Sequence, residues 1–135
     1  MLFLMEDMYT LAIDRSRHLI QIALTGFWRP EATEAFCDEV RHQIAALGTG
    51  AGQQMLLCDL TNANVAPAET IAVLAHILAN PSFAGIKVQR IAFYTPSALL
   101  RMQMGRVTGA RKGVAVFETR ELAETWLMEG RAVAA

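Results

Sequence analysis

The chain has 135 residues, of which 53% are hydrophobic and 19% are charged, and its formal net charge is -1. High hydrophobicity with low net charge excludes an intrinsically disordered chain, and this length suits one domain with a single core. The best apolar helix candidate, residues 71–79, is much shorter than the about 20 residues that a transmembrane helix needs.

The first two elements along the chain are predicted to form an antiparallel hairpin. Apolar residues alternate with smaller or polar ones over residues 9–14 and again over residues 19–25, which is the spacing of β-strands. The residues between the two runs, from Asp14 to Arg17, are polar and predict a turn.

Three more strands and four helices are predicted to alternate after the hairpin. The first helix opens at Pro30, stops at Gly48 and carries Phe36, Val40 and Ile44 at helical spacing. Apolar runs predict strands over residues 55–58, 88–94 and 113–117. The remaining helices are predicted over residues 67–79, over residues 96–106 and from Thr119 to Gly130.

Hydroxyl side chains are expected to cap two of these helices. Thr95 precedes a proline and is the expected N-cap of the third helix, and Thr119 is the expected N-cap of the last one. The positions of the last helix that are expected to face the core are Leu122, Ala123, Trp126 and Leu127.

The predicted element order is ββαβαβαβα, which is typical of the α/β class. We expect a mixed β-sheet, built from the N-terminal antiparallel hairpin and later parallel strands, packed with about four helices. The sequence carries neither internal repeats nor low-complexity segments, so residues 1–135 are expected to form a single domain with its core at about 9–129.

Catalytic and metal chemistry find little support in the sequence. Cys37 and Cys58 are too few for a disulfide framework or a four-ligand zinc site. The three histidines, His18, His42 and His76, fall in different elements, and no serine lies in a G-x-S-x-G motif. We therefore predict no enzymatic activity, no cofactor and no metal. Reduced cysteines and the absence of a signal peptide pattern predict a cytoplasmic protein.

Basic side chains are concentrated in one part of the chain. Residues 86–117 carry no acid and six basic residues: Lys87, Arg90, Arg101, Arg106, Arg111 and Lys112. Such a block can attract an anion, for which Arg101, Arg106 and Arg111 are the candidate ligands, or it can be the solvated face of a helix. A whole-chain pI near 6.3 and few aromatic residues in the block argue against nucleic acid as the partner.

Three segments in this order resemble the STAS superfamily and, within it, the SpoIIAA-like domains typified by anti-sigma-factor antagonists. They are Gly26-Phe27-Trp28 after the hairpin, the central run from Leu56 to Thr61, and the ending. The ending comprises Val116-Phe117-Glu118-Thr119, Glu121, Ala123 and Trp126-Leu127. The resemblance covers the chain from about Tyr9 to Leu127. It implies a sheet backed by helices and a regulatory or binding role that needs no catalysis.

In anti-sigma-factor antagonists a serine at the start of a helix is phosphorylated, and the resemblance places the corresponding positions eight and nine residues after Asp59. This chain has Pro67 and Ala68 there, and the nearest hydroxyl inside the helix belongs to Thr70. The usual phosphorylatable serine is therefore missing. Glu69 supplies a negative charge nearby, which is also ordinary compensation of the helix dipole.

Ligands and partners of sheets with parallel strands are expected at the carboxyl ends of the strands. The predicted loops at that edge contain Asp59, Thr61, Asn62, Asn64, Thr95 and Ser97, which are our candidate partner-binding or ligand-binding residues. Polar residues are also ordinary in loops. Our first hypothesis is a non-catalytic STAS-like regulatory module that binds a protein partner.

A second hypothesis comes from the apolar residues that the predicted core leaves over. Met102 and Met104 lie two apart on one helix and so cannot both face the core, and Leu2, Phe3 and Leu4 begin the chain. These residues are candidates for apolar surface that forms a homodimer or lines a groove for a small amphipathic, lipid-like ligand. The CRAL-TRIO lipid-transfer domains resemble this element order, which makes a carrier or sensor the alternative function.

Overall fold

The computed structural model describes residues 3–5, 9–26, 29–46, 54–79, 88–109 and 112–134, and within these residues six strands form one mixed sheet. The strands are β1 (Phe3–Met5), β2 (Tyr9–Asp14), β3 (Leu19–Gly26), β4 (Gln54–Ala63), β5 (Val88–Tyr94) and β6 (Val114–Phe117). The helices are α1 (Pro30–Ala46), α2 (Ala68–Ala79), α3 (Ala98–Thr108) and α4 (Arg120–Ala134). The predicted α/β fold class is confirmed, and β1 is an additional strand that the sequence did not predict.

The strands lie side by side in chain order from β1 to β6. The β1–β2 and β2–β3 pairs are antiparallel, whereas β3–β4, β4–β5 and β5–β6 are parallel. Between the two strands of each parallel pair, the described part of the connection contains one helix. Because crossovers of one hand that step across a sheet in one direction lie on the same face, α1, α2 and α3 share a face.

Two apolar layers cover the two faces of the sheet. The larger one contains Phe36 and Val40 of α1, Leu74 of α2 and Leu100 of α3, packed on alternate strand residues such as Ile22. The smaller one lies under α4, where Ala123 and Leu127 pack on Leu57, Ala92 and Tyr94. The strands β4 and β5 are therefore covered on both sides, as the continuous apolar runs in the sequence predicted.

Strand β4 is longer than the sequence predicted, so Thr61 and Asn62 belong to the strand and not to a loop. The pairing between β3 and β4 shifts register between Ala23 and Thr25, and Asn62 then pairs with Thr25. The extra residue of β4 at this irregularity bends the strand, and pairing with β3 resumes beyond it.

Three details of the helices also differ from the prediction. The side chain of Ser97, not that of Thr95, caps α3 by accepting a hydrogen bond from the Leu100 N–H at 3.1 Å. Helix α4 continues past Gly130, because one glycine costs a helix only about 1 kcal/mol. Leu122 is exposed, since the inward face of α4 is set by Ala123 and Leu127, four residues apart.

Substitution of two glycines by alanine is expected to change stability in opposite directions. Gly113 has a φ of +78°, and an added Cβ would lie 3.1 Å from the carbonyl oxygen of Gln89. Gly113→Ala should therefore lower the free energy of unfolding by about 2 kcal/mol. Gly105 lies inside α3 with open space around it, so Gly105→Ala should raise that free energy by up to about 1 kcal/mol. Urea unfolding followed by circular dichroism measures both, and equal stabilities would contradict this account.

Candidate functional site

The carboxyl ends of β4 and β5 meet at one edge of the sheet because the two strands are parallel. The connection from β4 to α2 (residues 64–67) and the connection from β5 to α3 (residues 95–97) leave the sheet at this edge. Thr61 and Asn62 lie near the end of β4 and Asn64 lies in the first connection, and all three are exposed. The structure thus places these three candidate residues at this edge of the sheet.

Asp59 differs from its neighbours because it lies on the opposite side of the sheet from α1, α2 and α3. Its carboxylate accepts a hydrogen bond from the Thr61 N–H at 2.8 Å, which holds the chain where β4 changes register. The Asn64 N–H donates to the Gly26 carbonyl at 2.9 Å and extends the attachment of β4 to β3. The backbone that presents the exposed Thr61 and Asn62 is therefore fixed on both sides.

The second connection is held by Thr95, whose side chain is almost completely buried. Its hydroxyl accepts a hydrogen bond from the Ser97 N–H at 3.2 Å, and its carbonyl accepts one from the guanidinium of Arg101 at 2.8 Å. Thr95 and Arg101 thus hold the backbone of this connection in place. The hydroxyl of Ser97, which caps α3, is more accessible than that of Thr95.

Gln103 joins α3 to the β4–α2 connection, and the sequence analysis did not identify it. Its side-chain amide donates to the Ala66 carbonyl at 2.6 Å, while its side-chain oxygen accepts from the Ala66 N–H at 3.0 Å. The two residues are 37 positions apart in the sequence, and no local pattern signals such a pair. This double hydrogen bond fixes the β4–α2 connection against α3.

Large apolar side chains are exposed around this junction. Val65 precedes the clamped Ala66, and Leu99 and Met102 lie one turn apart on α3; all three are exposed. We call these three residues the α3 apolar surface. The prediction that both methionines of α3 form apolar surface is wrong for Met104, which is fully buried in the core, whereas Met102 is 74% exposed.

The basic block does not form one patch among the described residues. Arg90 stacks on the Trp126 ring under α4, with its guanidinium carbon 4.4 Å from the ring centroid, whereas Arg101 lies on the opposite face of the sheet. Arg106 is exposed in the last turn of α3. Arg111, the third candidate anion ligand, lies outside the described residues. The block therefore splits between the two faces of the sheet.

The two cysteines line one small apolar cavity of about 20 Å³ between α1, α2 and the sheet. Burial raises the pKa of the Cys37 thiol to about 12 and also raises that of Cys58, so both are poor nucleophiles. This cavity is too small for a lipid chain. Leu100, Met104 and Val107 fill the core on the inner side of α3, where the carrier hypothesis required a groove.

Tyr94 stands opposite Asp59 in the register of β4 and β5, on the α4 side of the sheet. Burial and the nearby negative charge of Asp59 raise the pKa of Tyr94 to about 12, although Arg120 acts in the other direction. Burial acts to lower the pKa of Arg120, but its interactions with Glu124 and Tyr94 leave it raised overall. Asp59 was a candidate from the sequence, whereas Tyr94 and Arg120 were missed.

The chain resembles known proteins in structure and not in sequence. No family model matches the chain, and no curated protein matches it in sequence. Solved structures do match it along nearly its whole length. The first is an uncharacterized protein of the DUF3478 family with a SpoIIAA-like fold from Shewanella loihica PV-4, with a TM-score of 0.62 and 17% identity over 88% of this chain and 93% of that one. The chain has a SpoIIAA-like fold.

Two further structures with the SpoIIAA-like fold are described as anti-sigma factor antagonists. The antagonist SpoIIAA in its unphosphorylated form has a TM-score of 0.59 and 14% identity, over 90% of this chain and 96% of that one. An antagonist from Mycobacterium paratuberculosis has a TM-score of 0.54 and 13% identity, over 92% and 97%. The resemblance seen in the sequence is therefore confirmed for the fold.

The start of α2 is where the resemblance places a phosphorylated serine. Here the Pro67 carbonyl accepts the first hydrogen bonds of the helix, from the N–H groups of Thr70 and Ile71. The Thr70 side chain is fully buried, so its hydroxyl is not accessible to a kinase in the folded protein.

In the part of the chain that the structure describes, no helix is both long enough and apolar enough to cross a membrane.

Proposed function

We propose that this protein is a non-catalytic regulatory module that binds a protein partner at the edge formed by the β4–α2 connection and α3. The SpoIIAA-like fold supports a regulatory role, because two solved structures with this fold are described as anti-sigma factor antagonists. The observation that carries the proposal is the double hydrogen bond between Gln103 and Ala66. It holds the α3 apolar surface in one arrangement before any partner arrives.

A preorganised surface binds more tightly than a mobile one because less conformational entropy is lost on association. Val65, Leu99 and Met102 offer apolar anchors, and a flexible methionine adapts to the shape of a partner. The exposed polar residues Thr61 and Asn62 border the same edge and can form the hydrated rim of an interface.

Helix α3 also gives the surface a positive charge. It contains Arg101 and Arg106 and no acidic residue. A partner with apolar side chains and neighbouring carboxylates is therefore the best complement. Because Pro67 and Ala68 occupy the start of α2, we propose that phosphorylation at this helix start does not control binding.

Site-specific photo-crosslinking in cells of the source organism tests the proposal. A photoreactive amino acid is placed at Met102 and, as a matched control, at Leu122, which is exposed on α4 at the other face of the sheet. We expect position 102 to give a covalent adduct with one protein partner, which mass spectrometry identifies, and position 122 to give none. Equal adducts at both positions, or none at position 102, would count against this surface.

The purified partner then permits a quantitative measurement. Leu99→Asp combined with Met102→Asp should weaken binding at least 100-fold, since charges would replace the apolar anchors in a desolvated contact. Leu122→Asp should change the Kd less than twofold. Calorimetric titration measures each affinity, and an unchanged Kd for the double variant would refute the α3 apolar surface as the binding site.

A further inference from the structure

A polar pocket of about 120 Å³ opens on the α4 side of the sheet. Its polar lining comes from five elements: Thr10 of β2, Gln21 of β3, Asp59 of β4, Tyr94 of β5 and Arg120 of α4. We call it the α4 pocket. We infer that it binds a small zwitterionic amino acid, with the ammonium group on Asp59 and the carboxylate on Arg120.

The strand register explains why a pocket forms at this place. Thr10, Ala23, Asp59 and Tyr94 lie in one row across four adjacent strands, since each is paired with the next. Ala23 is the small member of this row, and Ala12 is the small member of the neighbouring row, where it pairs with Gln21. Two methyl groups therefore form a depression between larger polar side chains.

Helix α4 supplies the wall and leaves the pocket open. It packs mainly on β5 and also on β4 and β6, so it does not cover the face of β2 and β3. Arg120, its first residue, reaches across to the Gln21 side chain, whose oxygen accepts a hydrogen bond at 3.0 Å. The Tyr94 side chain, only 6% exposed, lies between Arg120 and Asp59 and interacts with both.

Asp59 forms no salt bridge with any basic side chain that the structure describes. Among the described residues the salt bridges join Arg17 to Asp14 and Glu124, Arg41 to Asp38, and Arg120 to Glu124. The Asp59 carboxylate accepts one backbone hydrogen bond, from Thr61, and has capacity for more. An ammonium group is the ligand group that balances this charge.

The guanidinium of Arg120 has N–H groups that can still donate to a carboxylate. Its Nε–H bonds to Glu124 at 2.9 Å and one Nη2–H bonds to Gln21. A guanidinium has five N–H groups, so a further interaction with Tyr94 still leaves two for a ligand. Glu124 and Asp59 disfavour a simple anion by repulsion, whereas a zwitterion supplies a positive group to Asp59 together with its carboxylate.

The small volume of the α4 pocket, about 120 Å³, suits a small amino acid such as glycine, alanine or serine. The methyl groups of Ala12 and Ala23 suit the small side chain of alanine.

An NMR titration with L-alanine and two analogues, each lacking one of its charged groups, tests the inference. The ¹⁵N-labelled protein is titrated with L-alanine, with ethylamine, which lacks the carboxylate, and with propionate, which lacks the ammonium group. We expect L-alanine to shift the amide signals of Ala12, Gln21 and Ala23 with a millimolar Kd. Ethylamine and propionate should bind at least tenfold more weakly. Propionate binding as tightly as L-alanine, or no shift of these amides by tens of millimolar L-alanine, would overturn the inference.

Two variants then assign the contacts. Asp59→Asn keeps an oxygen that can accept the Thr61 N–H but loses the charge, and it should raise the Kd for L-alanine at least tenfold. Tyr94→Phe removes only the hydroxyl and should raise it at least threefold, which keeps the test valid if the first variant fails to fold. The control Asp38→Asn, on the exposed face of α1, should leave the Kd unchanged. Unchanged Kd values in both pocket variants would contradict the site, whereas partner binding through Leu99 and Met102 is measured independently of it.

Discussion

Replacing Leu100 with alanine is expected to lower the free energy of unfolding by about 3–4 kcal/mol, while the same change at the adjacent Leu99 should alter it by less than about 0.5 kcal/mol. Leu100 is fully buried on the inner side of α3, whereas Leu99 is 54% exposed. Both changes remove the same atoms from the same helix. The difference between them therefore measures the loss of core packing alone.

Urea unfolding followed by circular dichroism gives both free energies. If Leu99→Ala destabilises the protein as much as Leu100→Ala, then α3 does not present the face that the structure assigns to it. That result would also remove Leu99 from the α3 apolar surface. Equal slopes of free energy against urea would show that neither change alters the extent of unfolding.

Replacing Trp126 with alanine is expected to lower the free energy of unfolding by about 2–3 kcal/mol, somewhat less than for a fully buried tryptophan. The indole packs against the Phe117 ring at 5.5 Å between centroids, and the guanidinium carbon of Arg90 lies over the indole ring, 4.4 Å from its centroid. Arg90 also donates a hydrogen bond to the Trp126 carbonyl at 2.8 Å. Without the indole, α4 loses the main aromatic contact that attaches it to β5 and β6.

Two further variants distinguish the role of the ring from that of the helix. Trp126→Phe keeps an aromatic face for Phe117 and Arg90 and should cost only about 1 kcal/mol. Leu122→Ala changes an exposed position of the same helix and should stay within about 0.5 kcal/mol. A Trp126→Ala protein as stable as Leu122→Ala would mean that the indole does not attach α4. Hydrogen exchange of the α4 amides gives an independent measurement, because local opening of α4 should become more frequent.

Several residues of the candidate site could be predicted from the sequence. Asp59 and Ser97 could be placed near one edge because each follows the apolar run of a strand, and parallel strands end together. Met104 was misassigned because the sequence offered two methionines two positions apart without saying which one faces the core. The choice depends on the rotation of α3 about its axis, which Leu100 and Val107 determine by packing on the sheet and on α2.

By itself, the amino-acid sequence determined the kind, order and buried faces of the main elements, because periods of 2 and 3.6 residues arise from local backbone geometry. It also places two residues without a hydroxyl, Pro67 and Ala68, just before and at the start of α2. Only the tertiary structure decided which distant groups meet. Gln103 reaches Ala66 across 37 residues, and Arg120 reaches Gln21 across 99. Such contacts follow from strand register and helix packing, which depend on the whole sheet and leave no signal in the neighbouring sequence.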